Sequence, residues 1–109
     1  MQLDVQPYKP YVCTHNLDTD VHISFTLQRD GIWEKEMVEL FQEILLADPE
    51  LGVYDIGANI GVYTMVAASL GHKVVAVEPH KPNLVELGRG LKKNQFENQV
   101  CFGFNANFF

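Results

Sequence analysis

Apolar and polar residues follow different periods along this chain, and each period predicts a different element. Two short, mainly apolar runs, Val53 to Ile56 and Lys73 to Val77, have the pattern of parallel strands that are buried on both faces. Between them, apolar residues recur at helical spacing up to Gly71, which predicts a right-handed helical crossover between neighbouring strands. A third run, Val100 to Phe104, predicts a further strand. The pattern therefore indicates an α/β fold with three parallel strands.

Two amphipathic helices flank this unit in the sequence. The first is predicted between Gly31 and Pro49, since a proline disfavours helix in the residue before it. Its predicted apolar face comprises Trp33, Met37, Leu40, Phe41, Ile44 and Leu45. The second begins near Pro82, which suits a first helical turn. Its two interior glycines, Gly88 and Gly90, cost roughly 1 kcal/mol each relative to alanine, so they either permit close packing or indicate a marginal helix.

The first 31 residues have another pattern. Apolar residues alternate with polar ones from Val21 to Leu27, which is the period of a half-buried strand. Tyr11 to Cys13 is a candidate pairing partner, and the turn-like residues 16–20 lie between the two, so we predict a β-hairpin. We accordingly divide the chain into an N-terminal hairpin extension, residues 1–31, and a domain that comprises residues 32–109.

The connection between the first strand and its helix contains the candidate chemistry. Gly57 and Gly61 suit a sharp turn that brings bare backbone close to a ligand, because a Cβ would obstruct that approach. Amides at the following helix N-terminus attract anionic or hydrogen-bond-accepting groups. Glu78 lies at the tip of the second strand, about twenty residues further on, where an acid accepts hydrogen bonds from two ribose hydroxyls. These residues predict a nucleotide site.

Asp55 indicates which nucleotide the site would take. A dinucleotide fingerprint is Gly-x-Gly-x-x-Gly, whereas this loop is Asp55-x-Gly57-x-x-x-Gly61. A pyrophosphate tolerates a neighbouring carboxylate poorly, but a cofactor with an ammonium and a sulfonium is helped by one. S-adenosylmethionine has both groups. A nicotinamide-binding oxidoreductase fragment stays the weaker alternative, since Glu78 would also suit an NAD ribose.

Two segments resemble a known family. DIGANIG, from Asp55 to Gly61, and VAVEPH, from Val75 to His80, are similar to the first motif and the acidic loop of the FkbM-type S-adenosylmethionine-dependent methyltransferases. The resemblance covers the chain from Trp33 to Ala106. Its further matches are Pro82-Asn83, Asn94 and the strand end from Val100 to Ala106.

The resemblance implies a Rossmann-like class I methyltransferase fold of about seven strands, truncated here to three, with S-adenosylmethionine as the cofactor. The cofactor-binding residues that it implies are Asp55, Gly57, Ala58, Asn59, Gly61 and Glu78. The two glycines and Ala58 would make close backbone contacts. Asp55 and Asn59 would face the methionine end of the cofactor, and Glu78 would hold the ribose. Residues 32–109 would then be the N-terminal half of such a domain.

Two functional hypotheses follow. The first is a methyltransferase that acts on a hydroxyl of a small molecule or sugar and is truncated before its acceptor half. Methyl transfer needs an acceptor held in line and a base for its proton, so we expect no catalytic residue within this chain. The alternative is a naturally short, non-catalytic module that binds cofactor or a partner. The absent strands would flank the first strand and leave an open apolar edge, through which self-association is possible.

Composition narrows the partners. The formal charge is −6 and the pI is about 5.0, which argues against non-specific binding to nucleic acid or anionic membranes. No window is long enough for a transmembrane span and no signal-like N-terminus is present, so we expect a cytoplasmic protein.

Cys13 and Cys101 lack the spacing of a paired motif and are predicted to be free, buried thiols. The four histidines lack ligand-like spacing, so no metal is expected.

Overall fold

The computed structural model describes residues 1–15, 23–32 and 34–105. These ranges contain four helices and three strands. In chain order the elements are α1 (Ile23–Asp30), α2 (Lys35–Ala47), β1 (Val53–Ile56), α3 (Val62–Ser69), β2 (Val74–Val77), α4 (Lys81–Asn94) and β3 (Val100–Gly103). The predicted α/β architecture with three parallel strands is confirmed, and each predicted strand lies within one residue of its expected bounds.

The three strands form one parallel sheet in the order β1-β2-β3. Val53 of β1 pairs with Val74 of β2, which in turn pairs with Val100 of β3. Helices α3 and α4 connect successive strands, as parallel pairing requires. This order brings the carboxyl ends of β1 and β2 side by side, so the loops that follow these two strands are neighbours.

Among the described residues, one face of this sheet is well covered and the other is largely exposed. Helix α3 packs against β1 and β2, and Ala76 on that face is fully buried. Side chains alternate along a strand, so Tyr54, Ile56 and Cys101 lie on the opposite face. There, 70% of Tyr54 and 68% of Ile56 are exposed, and Cys101 is exposed as well. Parallel sheets are normally buried on both sides. We call the surface of these three residues the bare face.

The cysteines are free, as predicted, but the expectation that they are buried is wrong. Cys101 is exposed because it lies on the bare face, and Cys13 is half-buried in the N-terminal segment, residues 1–15. An apolar pattern predicts that a strand residue belongs inside, but burial also depends on which other elements cover that side of the sheet.

The predicted N-terminal hairpin is wrong. Its second strand is replaced by helix α1, and Tyr11 instead forms an isolated antiparallel bridge with Gln2. Val21 and the predicted turn at residues 16–20 lie outside the described residues. The alternating pattern was misleading because it also places apolar residues four positions apart. Residues at i and i+4 lie on one side of a helix as well as on one face of a strand. Within α1, Leu27 is fully buried in the main core.

The end of α1 is fixed by a glycine that also contacts the N-terminal segment. Gly31 has φ of 78°, and its amide donates to the Leu27 carbonyl oxygen at 2.8 Å. This is the left-handed residue that commonly follows a helix. The Gly31 carbonyl accepts a hydrogen bond from the Asp4 amide at 2.7 Å. Helix α1 is thereby joined to the first residues of the chain.

Helix α2 is confirmed, but only part of its predicted apolar face, Phe41 and Leu45, packs against the core. Its buried residues are Val38, Gln42 and Leu45. Residues that were expected to be packed but are more than half exposed are Met37, Leu40 and Ile44. The Gln42 side chain is satisfied inside because its Nε2 donates to the carbonyl oxygen of Gln6. Contacts with the N-terminal segment and with α3 therefore both orient α2. Trp33 lies outside the described residues.

The N-terminal segment packs into the same core as the sheet. Leu3 and Val12 are fully buried there. The side chain of Asn94, in the last turn of α4, holds the backbone of Tyr11 from both sides. Its Oδ1 accepts from the Tyr11 amide at 2.7 Å, and its Nδ2 donates at 2.7 Å to the carbonyl oxygens of Tyr11 and Gly90.

The two interior glycines of α4 permit close packing, and the helix is intact over Lys81–Asn94. A Cβ on Gly90 would lie 2.8 Å from Met65 Cε and 3.7 Å from the Cys13 amide nitrogen. A Cβ on Gly88 would lie 3.2 Å from Phe102 Cζ. Gly90 in particular lets the N-terminal segment lie directly against the helix.

Within the described ranges, no helix combines the length and the apolar character that crossing a lipid bilayer requires.

Replacing Asn94 by alanine should destabilise the fold. The change leaves the Tyr11 amide and carbonyl without their partner and removes the bond to Gly90, so we expect a loss of about 2 to 4 kcal/mol in the free energy of unfolding. Urea denaturation followed by circular dichroism measures this loss. The matched control is Asn98→Ala in an exposed turn, which should change stability by less than about 0.5 kcal/mol. Equal stabilities of the two variants would contradict the role of Asn94.

Candidate functional site

The loop between β1 and α3 depends on three residues with left-handed backbone. Gly57, Asn59 and Gly61 have φ of 78°, 57° and 97°. Asparagine tolerates this region because its short side chain bonds locally, and here Asn59 Oδ1 accepts from the Ile60 amide at 2.9 Å. The two glycines that suggested a turn from the sequence therefore suit the backbone there, and Asn59 takes the same left-handed conformation.

The two glycines of the loop serve different purposes. A Cβ on Gly57 would meet no heavy atom within 4 Å, so this residue borders open space beyond the strand end. A Cβ on Gly61 would lie 3.1 Å from Leu87 Cγ and 3.3 Å from Met65 Cε. Gly61 thus lets the start of α3 pack against α4, and Ala58 is buried in the core. Of the three residues predicted to make backbone contacts with a ligand, Gly57 is the one beside open space.

Glu78 joins this loop directly. It follows β2 and is only 6% exposed. Its Oε1 accepts from the Asn59 amide at 2.8 Å, and its Oε2 accepts from the His80 amide at 2.8 Å and from Asn83 Nδ2 at 3.4 Å. The predicted acid and the predicted loop are therefore in contact. A carboxylate has about four acceptor positions, so Oε1 keeps capacity for a further donor.

Asp55 interacts with the first turn of α3. Its Oδ2 accepts from Thr64 Oγ1 at 2.6 Å, and the Thr64 amide also favours the charged form. Thr64 is the third residue of α3, where helix amides lack partners within the helix and attract a negative charge. Burial acts in the opposite direction and is the largest effect, so the pKa of Asp55 is raised above its ordinary value. The nearby charge of Glu78 raises it further.

A third carboxylate borders the same region. Tyr63 donates through its hydroxyl to Glu34 Oε1 at 3.3 Å. Burial raises the pKa of the Tyr63 hydroxyl, and the charges of Glu34 and Asp55 raise it further. The first turn of α3 therefore lies among acids, which favours a ligand with positive charge over an anion.

Sequence reasoning did not assign a role to Asn83, His15 or Thr64. Asn83 donates to Glu78, and its Oδ1 lies 2.6 Å from His15 Nε2. The spacing of Asn83 from Glu78 on a helix start is a local signal that could have been used. His15 is separated from Asn83 by 68 positions, so no sequence pattern could have shown that contact.

Two other histidines are described, one beside Glu78 and one in the core. His80 takes part through its backbone amide, and its side chain is exposed. His72 is buried, with Nδ1 at 2.6 Å from the Leu51 carbonyl oxygen. In the part of the chain that the structure describes, no group of three or more His, Cys, Asp or Glu side chains is arranged to hold a metal ion.

This chain is similar in structure to several solved methyltransferases. A candidate caffeoyl-CoA O-methyltransferase from Staphylococcus aureus superposes with a TM-score of 0.65 over 84% of this chain at 21% identity. The fold is that of Rossmann-like methyltransferases. An O-methyltransferase from Bacillus cereus, solved with S-adenosylhomocysteine, gives 0.59 over 80% at 14% identity. A candidate RNA methyltransferase from Pyrococcus horikoshii gives 0.53 over 61% at 27% identity.

The chain spans less than half the length of these three proteins, namely 45%, 46% and 34%. No protein-family model matches the sequence, and no curated protein matches it either. The specific FkbM resemblance therefore stays a prediction, whereas the methyltransferase fold is confirmed.

Asp55→Asn should stabilise the fold at neutral pH. Burial raises the pKa of Asp55 in the folded chain above the ordinary value of 3.8, so the folded state binds this proton more tightly than the unfolded state. Stability should consequently fall as the pH rises through the interval above 3.8, and asparagine should avoid that loss. Urea denaturation between pH 3 and pH 7 measures the difference, which should be largest at pH 7 and vanish towards pH 3.

The control for this comparison is Glu50→Gln, which changes an exposed carboxylate. Lower stability of the Asp55→Asn variant at pH 7 would contradict the prediction. It would mean that the bonds from Thr64 to the carboxylate outweigh the cost of burying its charge.

Proposed function

We propose that this chain is the cofactor-binding half of an S-adenosylmethionine-dependent methyltransferase. The observation that supports it best is the contact between the Asn59 amide and Glu78, which unites the glycine loop and the ribose-type acid at one sheet end. A strand-to-helix turn needs no such acid. A ribose site needs both parts together, because the hydroxyls and the adjoining backbone contacts belong to one ligand.

The residues present fit this cofactor. The open space beside Gly57 allows a ligand to approach the backbone, and the free acceptor capacity of Glu78 suits a ribose hydroxyl. The ammonium of the methionine end would favour the charged form of Asp55, which burial disfavours in the free chain. Asn59 belongs to the same proposed set of cofactor-binding residues, and its left-handed backbone shapes the loop there. Bound S-adenosylmethionine supplies an electrophilic methyl group on its sulfonium.

The acceptor is a separate part of the proposal. The FkbM resemblance supports a hydroxyl of a small molecule or sugar as the acceptor, and residues 32–109 as the N-terminal half of the domain. The acceptors in the names of the solved structures, caffeoyl-CoA and RNA, differ although both proteins superpose on this one chain. We therefore propose that groups outside this chain bind the acceptor and take its proton, and that no catalytic residue lies within it.

The test of cofactor binding is calorimetric titration with S-adenosylhomocysteine. Wild-type chain should bind saturably, and Glu78→Ala should weaken binding by about 1.5 to 3 kcal/mol through lost charge-assisted hydrogen bonds. NAD added in competition should displace nothing. Circular dichroism establishes that both proteins are folded, which is needed because the change also removes the acceptor of the Asn59 and His80 amides.

Glu97→Ala is the matched control, since Glu97 is an exposed glutamate beyond α4. A folded wild-type chain that does not bind S-adenosylhomocysteine would refute the proposed function. Equal affinities of the wild type and Glu78→Ala would refute the ribose assignment alone.

The second candidate function is an interaction module from a naturally short form. The bare face favours it, because Tyr54 and Ile56 expose apolar area on β1, which within the described ranges pairs with a strand on one side only. Among candidate partners, a second copy of this chain has the same edge and the same apolar face to offer. Self-association through β1 is therefore part of this candidate.

Ile56→Lys should weaken such self-association by roughly ten-fold or more, because a charge on the bare face opposes its burial. Sedimentation velocity over a concentration series measures the effect. Leu46→Lys is the matched control: Leu46 is 61% exposed on α2, away from the bare face. A wild-type chain that stays monomeric at the highest concentration, or equal effects of the two variants, would contradict association through β1.

A further inference from the structure

The N-terminal segment follows one side of α4. Asn83, Gly90 and Asn94 share that side, at spacings of seven and four residues. Asn94 holds Tyr11 near the helix end, and Asn83 meets His15 near the helix start. Residues 83 to 94 span about 16 Å of helix, and residues 11 to 15 span about 13 Å when extended. The segment is therefore stretched along α4 in the opposite direction, from Asn94 towards the Glu78 end.

The polarity of the contacts at that end is determined by Glu78. An ionised carboxylate only accepts hydrogen bonds, so the Asn83 side chain must turn its Nδ2 towards Glu78. This leaves the Asn83 Oδ1, an acceptor, for His15. His15 Nε2, at 2.6 Å, must then carry the proton and donate. Each contact fixes the polarity of the next one, from the acid through Asn83 to the N-terminal segment.

Other contacts to Glu78 come from the backbone. The amides of Asn59 and His80 bond its two carboxylate oxygens. Among the described residues, Asn83 is the one side chain that donates to Glu78. A backbone amide moves with its loop, whereas Asn83 lies on a helix, so Asn83 ties the carboxylate to a rigid element.

We propose that His15 and Asn83 are positioning residues, through which the N-terminal segment holds Glu78 in the orientation that binds the cofactor ribose and the Asn59 amide. This inference rests on the proposed function. Neither residue needs to touch the cofactor. Their effect passes through the Glu78 carboxylate to the loop at Asn59, so losing either contact should loosen the acid and the loop together.

Two measurements on the full chain test the proposal. In the first, Asn83→Ala and His15→Ala should each weaken binding of S-adenosylhomocysteine by roughly three- to ten-fold, the factor expected for one lost hydrogen bond. The double variant should bind no more weakly than Asn83→Ala, because His15 acts on Glu78 through Asn83. His15→Gln retains an N–H donor and should restore most of the affinity. Asn98→Ala is the control, and urea denaturation verifies that all variants are folded.

The second measurement needs no cofactor. Amide hydrogen exchange followed by NMR should show faster exchange of the Asn59 amide in Asn83→Ala, by roughly three- to ten-fold, with no change in Asn98→Ala. Unchanged exchange would overturn the proposal, as would additive losses of affinity in the double variant. If the wild type binds no S-adenosylhomocysteine, the proposed function fails, and the exchange rates alone decide whether these residues position Glu78.

Discussion

The hydrogen bond between the Asn59 amide and the Glu78 carboxylate is the interaction on which the candidate site depends. It joins the loop after β1 to the residue after β2, at 2.8 Å. The Gly57 and Ala58 amides reinforce this link by donating to the Val77 carbonyl at 2.8 and 3.0 Å. The parallel order of the strands brings these groups together, because both strands end at the same side of the sheet. The strand order therefore places the two parts of the candidate site, the loop after β1 and Glu78 after β2, next to each other.

Local patterns made the central part of the chain predictable. Strands β1 and β2, helix α3 and the glycine loop come from contiguous residues, whose types match the backbone they adopt. Gly57 and Asn59 have positive φ, and Glu78 lies where the spacing placed it. The predicted roles of Gly61 and Gly57 could not be told apart from sequence, because the difference is whether Leu87 or open space faces the missing Cβ.

The predictions that failed all depended on distant contacts. Residues of the predicted hairpin form α1, since the first strand of that hairpin has Gln2 as its neighbour instead. Helix α2 buries Gln42, which bonds the Gln6 carbonyl, and exposes part of its predicted apolar face. The partnership of His15 with Asn83 spans 68 positions. A periodic pattern describes one helix or strand by itself. Which side of that element is buried also depends on its contacts with other segments, here the N-terminal segment.

Asp55 shows how the site and the fold make opposing demands. Burial in the free chain raises the pKa of this acid, so the fold alone would be served better by a neutral side chain. A cationic ligand would reverse that preference, since the charge that costs stability would gain a partner. Positions where a residue lowers stability without a structural reason are often functional.

The bare face also affects the candidate site, because both involve strand β1. Tyr54 and Ile56 flank Asp55 in β1, so the strand that positions this acid exposes its other side to solvent. In the part of the chain that the structure describes, β1 is also an edge of the sheet, with β2 as its one hydrogen-bonded neighbour. A covering element on this side would restrict the motion of β1, and thereby the position of Asp55 and of the loop that begins at Gly57. Binding of a covering element at the bare face should therefore raise the affinity for the cofactor. By linkage, cofactor binding should equally strengthen binding at the bare face.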